Sequence, residues 1–174
     1  FKITECPTDE HGTFKSWFNG RDGYPRFIHV DLALKRDRAA LAMVHNKGWT
    51  WVDTAAGQRE KLPVVQLDLL KYWEAGPGEE INFANIRHYI FELNKQFNVA
   101  GVWFDKWQSA EMIQTLNQNN IFAEWQAVMK KDYDSLATAF YDGRIHGYKS
   151  DETHRLVEEE LLRLRLLKNN KIDH

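Results

Sequence analysis

From Arg26 to Leu34 apolar and polar positions alternate, with Ile28, Val30, Leu32 and Leu34 on one face and Phe27, His29, Asp31 and Ala33 on the other. A period of two marks a half-buried strand. A charged turn, 35–38, leads to an apolar stretch at 39–45 that reads as a second strand, and Asn46-Lys47-Gly48 reads as a reversal. Trp49, Trp51 and Val52 can extend a hairpin arm, with Ala55-Ala56-Gly57-Gln58 as its tip, and 62–73 reads as a third, longer strand. The connections are too short for crossovers, so these strands are expected to run antiparallel.

The second half changes period. Ile86, Tyr89, Ile90, Leu93 and Phe97 recur at helical spacing and predict a helix over 82–97. Val99 to Phe104 is an almost continuous apolar run, as in a strand covered on both faces. A helix is expected over 107–119, a short strand near 121–123, a helix over 132–142 and a brief strand or turn over 144–148. The stretch 151–168 opens acidic and closes basic, which suits a helix dipole, and predicts a long last helix. Residues 1–25 are polar and turn-rich and read as a linker or entry arm, leaving 26–174 as one domain. The expected fold is α/β: three antiparallel strands, then parallel strands, in a mixed sheet with helices packed on it.

Composition narrows the function. The chain has 174 residues, 43% hydrophobic and 28% charged, with 23 Lys plus Arg against 25 Asp plus Glu, a net charge of −2. Seven Trp and ten Phe argue against disorder. No stretch approaches the length of a membrane span. The single cysteine, Cys6, excludes an internal disulfide or a Cys-rich zinc site. The chain opens on Phe1 rather than Met, which suggests a piece of a longer polypeptide. Phosphate-binding loop, dinucleotide fingerprint, zinc-protease and serine-hydrolase motifs are all missing, which removes support for those chemistries.

Aspartates are the remaining chemistry. Asp31 interrupts the first strand on the face opposite its aliphatic stripe, and Asp105 ends the apolar run at its carboxyl end, where sheets with crossover helices keep their sites. Asp173 follows the long last helix, which could bring it back toward them. Three carboxylates at one point raise each other's pKa, and a divalent cation resolves the conflict. Oxygen ligands suit Mg²⁺ or Mn²⁺, and two such ions ~3.5–4 Å apart can drive phosphodiester cleavage. Each acid also has an ordinary structural reading. Asp105-Lys106-Trp107-Gln108 fits a capping box, Asp37 sits in a tight turn, and Asp173 lies in a chain tail. Asp53 and Asp68 read as solvent-face strand residues and Asp142-Gly143 as a turn. The tryptophans read as core, and the seven histidines show no metal-ligand spacing.

Four segments carry a family resemblance. His29-Val30-Asp31-Leu32-Ala33 with Asp37-Arg38-Ala39-Ala40-Leu41-Ala42 resembles the opening motif of the nuclease domain of tailed-phage large terminase subunits. Val102-Trp103-Phe104-Asp105-Lys106-Trp107-Gln108-Ser109 is similar to that family's second acidic motif. Asp142-Gly143-Arg144-Ile145 resembles a recurrent later segment, and Lys171-Ile172-Asp173-His174 its closing Lys-Val-Asp-His element. The resemblance implies a ribonuclease H-like fold and two-metal cleavage of double-stranded DNA during viral genome packaging in the host cytoplasm. It implies Asp31, Asp105 and Asp173 as catalytic metal ligands, with Asp37 as a nearby acid, and two divalent cations, Mg²⁺ or Mn²⁺. Partners implied are the amino-terminal ATPase motor of the same polypeptide, the portal and the small terminase subunit.

With a net acidic chain, any DNA surface must be local. Arg36, Arg38, Lys106, Lys131 and Arg144 are the candidate phosphate contacts, and each is otherwise a solvated surface charge. Two alternatives stay open: the same fold acting on RNA–DNA hybrid or branched DNA, and a non-catalytic docking module whose aspartates are structural.

Overall fold

A computed structural model describes residues 2–9, 13–32, 38–53, 57–105, 109–148, 159, 165–166 and 172–173. In chain order the elements are β1 (Lys2–Thr4), β2 (Arg26–Asp31), β3 (Ala39–Asp53), β4 (Arg59–Trp73), α1 (Phe83–Gln96), β5 (Val99–Phe104), α2 (Ala110–Gln118), β6 (Ala123–Trp125), α3 (Lys130–Tyr141), β7 (Ile145–Tyr148), β8 (Arg165–Leu166) and β9 (Ile172–Asp173). Seven strands form a mixed sheet in the order β1-β7-β4-β3-β2-β5-β6, and β8 pairs antiparallel with β9. Among the described residues no helix is long and apolar enough to cross a membrane.

Two compact units divide the chain. One comprises Pro7–His45 and Leu67–Ala127. In it β2 runs antiparallel to β3 and parallel to β5, and β5 runs parallel to β6. Alternation sends Ile28, Val30, Leu41, Met43, Val102 and Phe104 into one apolar core, where Ile86, Ile90 and Leu93 of α1 and Met112 and Leu116 of α2 meet them. Each such fully buried side chain contributes ~1.5–3 kcal/mol, and these burials hold the helices on the sheet. Asn82 starts α1 by accepting from the Ala84 amide at 2.9 Å, which satisfies one of the helix's otherwise orphaned donors.

The other unit comprises Phe1–Cys6, Asn46–Gln66 and Val128–His174. Here β1 and β4 both pair parallel with β7, whose Ile145 and Tyr148 are buried. The Asp142-Gly143 turn expected from the sequence follows α3, with Gly143 at φ +68, a conformation that suits glycine.

Several expectations change. Asn46-Lys47-Gly48 does not reverse the chain: Lys47, Trp49 and Trp51 continue the period of Leu41, Met43 and His45, so β3 runs unbroken to Asp53. Within the expected entry arm, Lys2–Thr4 joins the sheet and Phe18 is buried against Phe97, 4.7 Å between ring centroids. The expected helix over 107–119 runs from Ala110 to Gln118, and the strand near 121–123 falls at Ala123–Trp125. Most of 151–164 lies outside the described residues. Glu159 is helical, but Arg165 and Leu166 pair as a strand with Asp173 and Ile172, so the helix does not reach 168.

Candidate active site

The register between β2 and β5 builds the site. Val30 and Phe104 are paired neighbours on these parallel strands, and Asp31 and Asp105 are the next residue of each. Val30 and Phe104 point into the core; alternation turns Asp31 to the opposite face, and Asp105 follows Phe104 directly beyond the carboxyl end of the adjacent strand. Both acids are half-buried, and Oδ1 of Asp105 is fully enclosed. The end of β5 is braced from β6: Trp125 Nε1 donates to the Asp105 carbonyl at 3.1 Å, and the Gln126 amide donates to the Phe104 carbonyl at 2.8 Å. Ser109, not Asp105, occupies the N-cap position of α2, so the capping reading of Asp105 does not describe this helix.

His29 shares that face two residues before Asp31. Burial pushes its imidazole below the usual histidine range, and the Asp31 carboxylate only partly opposes the shift. Trp103, level with His29, lies against Gly101, where a Cβ would come within 2.6 Å of the indole. Its Nε1 donates to Glu124 at 2.6 Å, and its ring stands 6.0 Å from Phe27 and 5.9 Å from Phe122. The acids thus stand at the end of an aromatic row, beside an imidazole favoured in its neutral form. The two carboxylates offer hard oxygen donors only, a donor set that fits Mg²⁺ or Mn²⁺. Among the described residues no group of three or more His, Cys, Asp or Glu is placed to hold a metal.

The remaining expected site residues divide. Asp37, Arg36 and Lys106 lie outside the described residues. The Asp173 backbone is in β9, paired with Arg165, and its side chain lies outside the description. Arg38 donates from Nε to Glu74 at 2.7 Å and stacks 5.8 Å from the Tyr72 ring centroid. Lys131 is exposed near the start of α3. Arg144 is only 8% exposed; its guanidinium donates to Asp142 at 3.0 Å and to the Pro63 carbonyl at 3.2 Å, so it is held inside rather than presented as a surface cation.

The sequence misplaces two groups. Asp68 is buried, not on a solvent face: Arg26 Nε donates to its Oδ2 at 3.1 Å and His45 Nδ1 lies 2.7 Å from the same oxygen. Burial alone lowers the Arg26 pKa, but Asp22 and Asp68 outweigh it and hold the guanidinium above its ordinary value. Asp22, hydrogen-bonded by Arg26, sits below the usual carboxylate range. Four tryptophans expected in the core, Trp17, Trp49, Trp51 and Trp125, are exposed instead.

No protein-family model and no curated protein matches the sequence. Solved structures do. The large terminase nuclease from thermophilic phage G20c has a TM-score of 0.62 at 13% identity, over 98% of this chain and 82% of that one. The same nuclease with bound magnesium gives 0.60 at 14% identity, over 98% and 82%. The large terminase nuclease domain of Thermus phage P74-26 gives 0.60 at 13% identity, over 98% and 79%. At such identities the likeness is one of fold. This chain has the mixed α/β fold of these nuclease domains, a mixed sheet with helices packed on it as the sequence led us to expect.

Proposed function

We propose that the chain is the nuclease domain of a tailed-phage terminase large subunit, a metal-dependent endonuclease that cleaves double-stranded DNA during genome packaging. The observation that carries this reading is the placement of Asp31 and Asp105 at neighbouring carboxyl ends of parallel strands, in a fold shared with such nucleases. These two carboxylates hold divalent cations, Mg²⁺ or Mn²⁺. Asp173 as third ligand and Asp37 as a neighbouring acid follow from the motif resemblance alone. When bound, a pair of such ions supplies a more acidic water and charge stabilisation at the leaving oxygen of a phosphodiester.

The protein's own part is placement. The paired strands set Asp31 and Asp105 at adjacent strand ends, and burial disfavours the charged form of His29 beside them. Arg36, Lys106 and Lys131 contact phosphates, with Arg38 contributing through its exposed portion, so binding is governed by backbone charge rather than base identity. The motor domain of the same polypeptide, the portal and the small subunit complete the assembly and raise the local DNA concentration for a net acidic domain.

A plasmid-relaxation assay with Mn²⁺ or Mg²⁺ titrated against a chelator control tests the reading. Metal-dependent conversion of supercoiled duplex is expected, exceeding cleavage of RNA–DNA hybrid or four-way junctions. Preference for hybrid or junction transfers the activity to the alternative substrates, and no cleavage with any of them supports the docking module.

A further inference from the structure

The outer parts of β3 and β4 carry side chains that the proposed reaction does not use. Lys47, Trp49, Trp51 and Asp53 alternate along one face of β3, and the residues Trp49 and Trp51 are 58% and 59% exposed. Arg59 of β4 brings its guanidinium 5.8 Å from the Trp51 ring centroid and pairs with Asp53 at 3.3 Å. Lys47 Nζ donates to Gln66 Oε1 at 3.4 Å. Gln66 is level with His146 on β7, and His146 is level with Lys2 on β1. A row from Lys47 through Gln66 and His146 to Lys2 therefore crosses four strands of one unit. His146 Nδ1 is buried with no hydrogen-bond partner among the described residues. Its pKa is depressed first by burial and then by the positive charges of Lys47 and Lys2, so cationic groups dominate the field there. Over 46–66 the sequence adds three cations, Lys47, Arg59 and Lys61, against two acids, Asp53 and Glu60.

A partner for this face must offer negative charge to the lysines and flat apolar surface to the indoles. An unpaired nucleic-acid strand has both, whereas a duplex keeps its base faces inside its own stack. Spacing agrees: alternate strand residues stand about 6.8 Å apart, twice the ~3.4 Å repeat of a nucleic-acid strand, which leaves room for one base between two side chains. We propose that the outer β3–β4 face binds single-stranded DNA, with Trp49 and Trp51 stacking on bases and Lys2 and Lys47 meeting phosphates. The proposal rests on the nuclease reading only in choosing DNA as the nucleic acid. A frayed or freshly cut end supplies such a strand.

Fluorescence anisotropy of a labelled oligothymidine, titrated with the 174-residue chain in chelator so that cleavage is silent, tests it. An oligomer of equal phosphate count without bases should bind the unaltered protein about tenfold or more weakly, and Trp49→Ala with Trp51→Ala should lower oligothymidine affinity similarly. Trp49→Phe should retain most of the affinity, because a ring remains. Lys47→Gln should reduce the slope of log affinity against log salt by about one. Equal binding of the two oligomers by the unaltered protein overturns the proposal; a face that docks an acidic protein instead would give that result. Base-dependent binding by a chain that never cleaves DNA would sink the nuclease reading and leave this surface standing. Cleavage without base-dependent binding would do the reverse.

Discussion

Arg26 and Asp68 meet in the interior, Arg26 Nε donating to Asp68 Oδ2 at 3.1 Å with both side chains buried. Asp22 takes the other two guanidinium nitrogens at 2.5 and 2.7 Å, and the Tyr24 ring stacks on His45 at 4.7 Å. Arginine cannot shed its proton, so removing Asp68 leaves a buried cation with half its compensation and His45 without its acceptor. Asp68→Ala is expected to destabilise the fold by ~3 kcal/mol, seen as a lower urea midpoint at unchanged slope. A loss below ~1 kcal/mol would mean that Asp22 and water suffice to hold the guanidinium.

The same cluster marks where the sequence stops being readable. Period two places Asp68 on a strand face but does not say whether that face is covered. The covering groups, Arg26 and His45, lie 42 and 23 residues away in the chain. Trp49 and Trp51 mislead in the opposite sense: indole suggests burial, yet they lie on the part of β3 that no described element covers. Local signals were more faithful. The helical spacing of Ile86, Ile90 and Leu93 announced α1, and the unbroken apolar run 99–104 announced a strand buried in the sheet. Phe18 on Phe97 and Lys2 beside His146 are contacts of long sequence separation, for which the chain gives no local signal.

His146 should leave a pH signature. Its folded pKa lies below 6.5, so as the pH falls through 6.5 the unfolded chain takes up the proton first and unfolding is favoured. The neutral ring's contribution is complete above 6.5 and is lost as the pH falls toward the folded value. His146→Gln abolishes that component. The variant's stability relative to the unaltered chain should therefore rise as the pH drops below 6.5, measured by denaturant titration across the range. Parallel pH profiles would contradict it.

Two basic residues expected to touch DNA should now behave differently. Arg144→Gln strips a partner from Asp142 and the Pro63 carbonyl, and is expected to lower stability by ~1–3 kcal/mol while leaving the salt dependence of DNA binding unchanged. Lys131→Gln, at an exposed position, should keep stability within ~0.5 kcal/mol and reduce the salt slope by about one. Exchange of these two outcomes would reverse the assignment.

Metal linkage offers a test independent of cleavage. Without divalent cations, Asp31→Asn should melt at the same temperature or slightly higher, because it relieves repulsion between carboxylates. At Mn²⁺ concentrations ~100 times the dissociation constant the unaltered chain should gain ~2.7 kcal/mol, and the variant much less. Equal gains in a thermal melt would remove Asp31 from the ligand set.

The most direct measurement compares nicking of supercoiled plasmid by the unaltered chain, Asp31→Asn and Asp105→Asn in Mn²⁺ and in Mg²⁺, with circular dichroism confirming that all three are folded. Nicking by the unaltered chain and none by either variant is the expected result. Both variants nicking at the unaltered rate would show that the paired strand ends at Asp31 and Asp105 are not the site of the chemistry.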